Sequence, residues 1–308
     1  MKSFIVLIFS LLSIHFVAQN RYEVFKFEDK YGVVDTSNFS EYIAPTYEKS
    51  MIKVFSDLVL FNDNKYKFVD KKTGATEDYV DLNNDLYCNK IYYQAFEKDG
   101  KTVLIPKNTS KKLVFNKKYT SAIGVEDAVI LGDSSHFDVY INPDFQTPKL
   151  KNIAATNVLT LKMLNKASQK TEEVSVFYGL DKILVYDSKF NLLKTYPKKV
   201  NSESKVKEVI APNFAEVKAG RNTAAMVVPR EFSTELKDDV TIITSTSSSE
   251  SFSIKGKYEI NIYLMKGPEW IEIINEETKK SYIFRIDFYN KQFMLPKTYQ
   301  EALGLKFL

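Results

Sequence analysis

The chain has 308 residues, 43 Lys and Arg against 39 Asp and Glu, and a formal net charge of +4. That balance excludes the strongly basic footprint of a nucleic-acid or anionic-membrane binder. The lone Cys88 excludes an intramolecular disulfide, and with His136, the one histidine beyond the N-terminal apolar run, it leaves too few His and Cys ligands to expect zinc.

At the N-terminus Lys2 supplies one positive charge, and Phe4 to Phe16 is almost wholly apolar. Val17-Ala18-Gln19 then makes a small-residue exit, so residues 1–19 read as a signal peptide. The apolar run is shorter than the ~20 residues a spanning helix needs, and no cysteine follows it to take a lipid. The expectation is an exported protein, periplasmic, surface-bound or secreted, with no transmembrane segment after cleavage. Lys2 and His15 would leave with the peptide, so His136 would be the one mature histidine and the net charge +3. The remaining length exceeds what one compact domain needs, which predicts two domains or a repeat array with a cap.

A motif then recurs. Lys30-Tyr31-Gly32-Val33-Val34-Asp35 is followed 35 residues on by Lys65-Tyr66-Lys67-Phe68-Val69-Asp70. Lys101-Thr102-Val103-Leu104-Ile105-Pro106 and Phe137-Asp138-Val139-Tyr140-Ile141-Asn142 come at further steps of 36. Asp181-Lys182-Ile183-Leu184-Val185-Tyr186-Asp187 matches the first copy after a step of 45, which requires an insertion. Each block follows an apolar run and a polar cluster: Leu58–Phe61 with Asn62-Asp63-Asn64, Tyr92–Phe96 with Lys98-Asp99-Gly100, Val129–Leu131 with Gly132-Asp133-Ser134, and Val174–Tyr178 with Gly179-Leu180-Asp181. Asn, Asp and Gly tolerate the positive φ of tight turns, so each pair of runs predicts a β-hairpin. Aromatic richness, 19 Tyr and 22 Phe, suits pleated strand faces.

The blocks resemble the WG-repeat family over roughly residues 22–196. Its unit runs Gly-Lys-Trp-Gly, two apolar residues and Asp, then an apolar pair before Pro and a Tyr. Lys30–Asp35 with Ile43-Ala44-Pro45-Thr46-Tyr47 carries the pattern best, and Lys65–Asp70 with Lys71-Lys72-Thr73-Gly74 comes next. Tyr or another residue stands where the family has Trp, and Lys67 stands where the first copy has Gly32. The resemblance implies stacked β units, solenoid- or propeller-like; the family has no single activity to carry over.

Beyond the array, Lys194 to Lys207 is polar and basic and reads as a linker or exposed loop. Ile210-Ala211-Pro212-Asn213-Phe214 echoes Ile43–Tyr47, either a degraded repeat or a coincidence in a β-rich chain. Val240–Thr244, the alternating Tyr258–Leu264, Trp270–Ile274 and Tyr282–Tyr289 read as strands, and Pro296–Leu303 as a short helix with Pro at its start. The predicted organisation is a signal peptide over 1–19, divergent WG-like repeats over 20–196 and a second β-rich region over 197–308, all-β throughout.

Chemistry-bearing patterns are sparse. His136 lies in the turn-like run Asp133-Ser134-Ser135-His136, without the orienting partner a catalytic base needs. Glu77-Asp78-Tyr79-Val80-Asp81-Leu82-Asn83-Asn84-Asp85 is rich in oxygens but lacks the Gly and terminal Glu of an EF-hand, and reads as a solvated loop. No phosphate-cradling glycine motif occurs. The lysine-rich runs 107–118 and 194–199 read as solvated edges that discourage strand-on-strand aggregation. Tyr31 and Tyr66 at the repeat anchor, with Tyr92, Tyr93 and Tyr119, could bind sugar rings or a peptide; the simpler reading is packing between successive units. No catalytic, cofactor-binding or metal-ligating residue is assigned, and no cofactor is expected. The leading expectation is an exported, non-enzymatic binding or scaffolding protein of the cell envelope with a protein or polysaccharide partner. The alternative is a hydrolase of an envelope or extracellular polymer, using a carboxylate pair that meets only in space.

Overall fold

A computed structural model describes residues 20–52, 54–107, 109, 111–142, 145–197, 214–216, 232–246, 248–261 and 269–308. The signal-peptide reading over 1–19 lies outside them, as do residues 198–207 of the proposed linker and most of the Ile210–Phe214 echo. The chain forms two compact units, Met1–Asp78 with Met226–Leu308, and Tyr79–Ala225. The fold is all-β, and among the described residues there is one short helix.

The first unit opens with β1 (Tyr22–Phe27), β2 (Lys30–Asp35), β3 (Ser40–Tyr47), β4 (Lys49–Ser50), β5 (Leu58–Asn62) and β6 (Lys65–Val69). The chain passes into the second unit within β7 (Thr76–Cys88). There β7 continues into β8 (Ile91–Lys98), β9 (Lys101–Pro106) and β10 (Leu113–Phe115) as an antiparallel meander. A four-stranded meander follows: β11 (Ser121–Val125), β12 (Ala128–Gly132), β13 (His136–Ile141) and β14 (Pro148–Ala154). The last sheet of this unit holds β15 (Asn157–Asn165), β16 (Thr171–Tyr178), β17 (Lys182–Tyr186) and β18 (Leu192–Pro197), with β19 (Phe214–Glu216) beside β15.

The rest of the first unit comprises β20 (Phe232–Lys237), β21 (Val240–Ser245), β22 (Ser251–Lys255), β23 (Tyr258–Asn261), β24 (Trp270–Asn275), β25 (Ser281–Asp287), β26 (Gln292–Phe293), helix α1 (Lys297–Leu303) and β27 (Lys306–Phe307). One sheet there has the order β23-β24-β25-β1-β2-β3, so the first hairpin of the chain pairs with its C-terminal strands. A second has the order β20-β21-β22-β27.

The four predicted hairpins form, and the first motif copy makes a fifth with the strand before it. β1 pairs with β2, β5 with β6, β8 with β9, β12 with β13 and β16 with β17, each antiparallel and closed by its polar cluster. Glu28 and Asp29 (φ 46° and 69°) and Asp99 and Gly100 (52° and 73°) both take positive φ, the turn that matches strand twist. The aspartate ending the first two motif copies has a local role. The Asp35 carboxylate accepts the Ser37 N–H, and that of Asp70 accepts those of Lys72 and Thr73. Phe39 and Gly74, four residues on, take positive φ and donate N–H back to the Asp35 and Asp70 carbonyls. Asn165 with Gln169 and Asn275 with Lys279 repeat this turn.

Stacking follows from period two. In β12, Val129 and Leu131 enter one core with Tyr93, Leu104 and Phe115, while Ala128 and Ile130 enter another with Phe177 and Tyr186. In the first unit Tyr31 and Val33 share a core with Leu58, Leu60 and Val69 of the next hairpin. Successive hairpins therefore bury each other's faces, as repeat units must.

Two readings are corrected. Residues 77–85 are no loop: they lie in β7, with Tyr79, Asp81, Leu86 and Cys88 buried. The acidic residues are accommodated because most alternate positions face solvent, and the Asp81 carboxylate accepts the N–H of bulged Asn83 (φ 54°) and the Gln94 amide. Lys194–Pro197 is likewise strand, the end of β18 at the edge of its sheet. An edge strand needs partners along one side only, so lysines are tolerated on it.

Candidate functional site

His136 heads β13 and is half exposed. Its Nδ1 lies 2.8 Å from Ser135 Oγ and 4.0 Å from Asp133 Oδ1, so serine and carboxylate approach the same ring nitrogen. A relay needs them on opposite nitrogens. Asp133 instead accepts the N–H groups of Ser135 and His136, which with Lys117 hold its carboxyl well below the usual range. This is turn chemistry.

The tyrosines divide. Tyr31, Tyr66, Tyr93 and Tyr119 are buried, and Tyr66 stacks on Phe61 across the β5–β6 hairpin with centroids 4.5 Å apart. Tyr92 is 58% exposed and packs against exposed Tyr87 on the facing strand.

Polar side chains converge in the second unit, around a cleft of about 230 Å³. Period two along β13 puts Asp138 and Tyr140 on the face opposite Phe137 and Val139. Tyr119 joins them from the segment before β11, its N–H donated to buried Thr102 Oγ1 at 2.8 Å. All three belong to the floor, with Tyr119 1% and Asp138 4% exposed. Tyr119 O–H donates to Asp138 Oδ2 at 2.6 Å and lies 2.9 Å from Tyr140 Oη. Asp138 Oδ1 accepts the Asn152 N–H at 2.7 Å, where β14 bulges and Asn152 takes φ 55°. Phe115 forms a wall edge-on to Tyr140, and Lys117, Gln146 and Lys151 stand at the rim.

The network has a direction. A carboxylate only accepts, so the single Tyr119 proton goes to Asp138 and Tyr140 donates to Tyr119. The Tyr140 oxygen then keeps its lone pairs for a donor in the cleft. Burial first, and then the bonds to Asp138 and Tyr140, push the Tyr119 phenol far above its ordinary range. It stays protonated. Both Asp138 oxygens are engaged, and it is the one carboxylate among the described residues lining the cleft. The arrangement fixes the orientation of all three side chains. Among the described residues no group of three or more His, Cys, Asp or Glu is placed to hold a metal, and no helix is long and apolar enough to cross a membrane.

Fold and cleft together define an all-β protein of stacked antiparallel hairpins with a polar recess. No protein-family model matches the chain, and no curated protein is similar to it in sequence. Among solved structures it is similar to the WD40 domain of Neurospora crassa Pan2, at 10% identity over 90% of this chain and 88% of that one, with a TM-score of 0.26. Apo AztD from Citrobacter koseri matches at 10% identity over 87% and 70%, TM-score 0.29, and Kluyveromyces lactis Hsv2 at 9% over 89% and 84%, TM-score 0.23. At these values the likeness goes no further than β-rich character.

Proposed function

We propose that this chain is an exported, non-enzymatic binding or scaffolding protein of the cell envelope, built from WG-like hairpin repeats. The observation that carries the reading is the cleft floor. Each oxygen of its carboxylate accepts a hydrogen bond and its buried phenol is held in the protonated state, an arrangement that suits recognition. Hairpins that share cores give such a recess a stiff frame. Export rests on the charge and apolar pattern of residues 1–19.

Two measurements test it. Intact mass of protein recovered from the envelope or medium should show a chain beginning near residue 20, and a chain retaining Met1 there sinks the export part. Incubation with envelope polysaccharide fractions should deplete free ligand without releasing new reducing ends. Their release would overturn the non-enzymatic part.

A further inference from the structure

We infer that the cleft between Tyr140, Phe115 and Lys151 is a subsite for a single acidic sugar residue of the uronate type; the inference rests on the binding reading above. Size sets the first limit. About 230 Å³ is half as large again as an engineered cavity of about 150 Å³ that takes benzene, room for one substituted six-membered ring.

Chemistry sets the second. The floor presents an acceptor, the Tyr140 oxygen, whose own proton is committed to Tyr119. An acceptor in a recess selects a hydroxyl-bearing ligand, since a sugar hydroxyl can donate to it. Exposed Val114, beside Phe115 on β10, supplies an apolar contact for one face of a ring, as such sites usually do. The rim carries Lys117 and Lys151, of which Lys117 is held by Asp133 at 3.1 Å and lies over the Tyr119 ring at 4.9 Å. Exposed Lys151 on β14 is therefore the cation that can turn to a ligand carboxylate. Charge is ordered by depth, with Asp138 below and lysine above. A dianionic phosphate seated at the floor would face the buried Asp138 carboxylate, which repels it in a medium of low dielectric. A neutral hexose satisfies the floor but leaves the lysine rim unused. A monoanionic polyol, with hydroxyls down and carboxylate up, satisfies both levels.

The experiment uses the mature chain with its tyrosine rings isotope-labelled, titrated separately with glucuronate, glucose and inorganic phosphate while NMR follows Tyr119 and Tyr140. Glucuronate should shift both rings. Glucose should bind about ten-fold more weakly, the worth of one charge-assisted contact, and phosphate should leave the floor rings unmoved. Lys151→Glu, an exposed change that keeps the fold, should lower glucuronate affinity at least to the level of glucose. Tyr140→Phe should weaken both sugars alike. A uronate-terminated oligosaccharide binding more tightly than free glucuronate would identify a polymer end as the natural source, and equal affinity the free sugar. Equal binding of glucose and glucuronate, or silence of both rings to every probe in a folded protein, overturns the inference. The binding reading survives that silence if envelope fractions are still depleted, and it fails separately if new reducing ends appear.

Discussion

Tyr119→Phe isolates the cleft network from its surroundings, because it deletes one oxygen and keeps the buried ring. In the parent that oxygen donates to Asp138 at 2.6 Å and accepts from Tyr140 at 2.9 Å. After the change Asp138 keeps only the Asn152 N–H among these partners. Tyr140 lies on the cleft, so water can replace its lost acceptor at little loss. The charged bond cannot be replaced so easily at a site 4% exposed, and a hydrogen bond to a charged group contributes about 1.5–3 kcal/mol. The expected destabilisation is therefore about 2 kcal/mol, almost all from Asp138. Urea unfolding followed by the far-UV signal reads it as a midpoint lowered by about 1 M, for a slope near 2 kcal/mol per M, while the single tryptophan, Trp270, reports on the other unit. Because the chain has two units, the shift should appear in the transition of the unit carrying Tyr119 and leave the other in place. A loss below about 0.5 kcal/mol, the range of ordinary surface changes, would refute a closed network and mean that Asp138 is hydrated.

Other expectations follow from packing and charge. Tyr31→Ala empties part of the core shared by the first two hairpins and should destabilise the first unit by about 3 kcal/mol, measured by denaturant melts; an unchanged midpoint would place the ring outside that core. Gly32→Ala puts a methyl 2.5 Å from the Ile43 carbonyl oxygen and 2.9 Å from the Phe25 ring, so backbone must shift and about 1–3 kcal/mol should be lost; a neutral outcome would show that β3 can move away. The Arg21 guanidinium, bonded to Asp35 at 2.6 Å, holds that carboxyl at about 2 with help from Ser37. Its folded value lies below the unfolded one, so the contribution is present above about pH 4 and is lost as pH falls towards 2. Midpoints measured from pH 5 to pH 2 should fall less steeply in Arg21→Ala, and parallel profiles would dismiss the pairing.

The hairpins were legible because their information is local. Asp29, Asp63 and Asp99 sit where a turn needs positive φ, and alternation on either side does the rest. Where composition and pairing conflict, the sequence misleads. Residues 77–85 look like a solvated loop by their oxygens, yet they belong to a strand in which Tyr79 and Asp81, and beyond a bulge Leu86 and Cys88, turn inward. The cleft could not be read at all. Tyr119 stands out as an aromatic, but its partners Asp138 and Tyr140 come from another hairpin, and nothing local announces that meeting. The pairing of β1 with β25 is hidden for the same reason, since Lys26 faces Ile283 across nearly the whole chain.

That last pairing bears on the time course of folding. Contacts between sequence-distant strands form slowly, because a long loop must close before they contribute. A nascent chain emerging from its N-terminus can zip β1 to β2 early, but the hairpin's outer edge waits for β25 to be synthesised. Until then that edge exposes unpaired amide groups, a hazard for self-association. The clasp is therefore the late, cooperative step, and a fragment ending before Ser281 would have β1 without that neighbour. Such a delay keeps the first unit incomplete until residues 281–287 have been made.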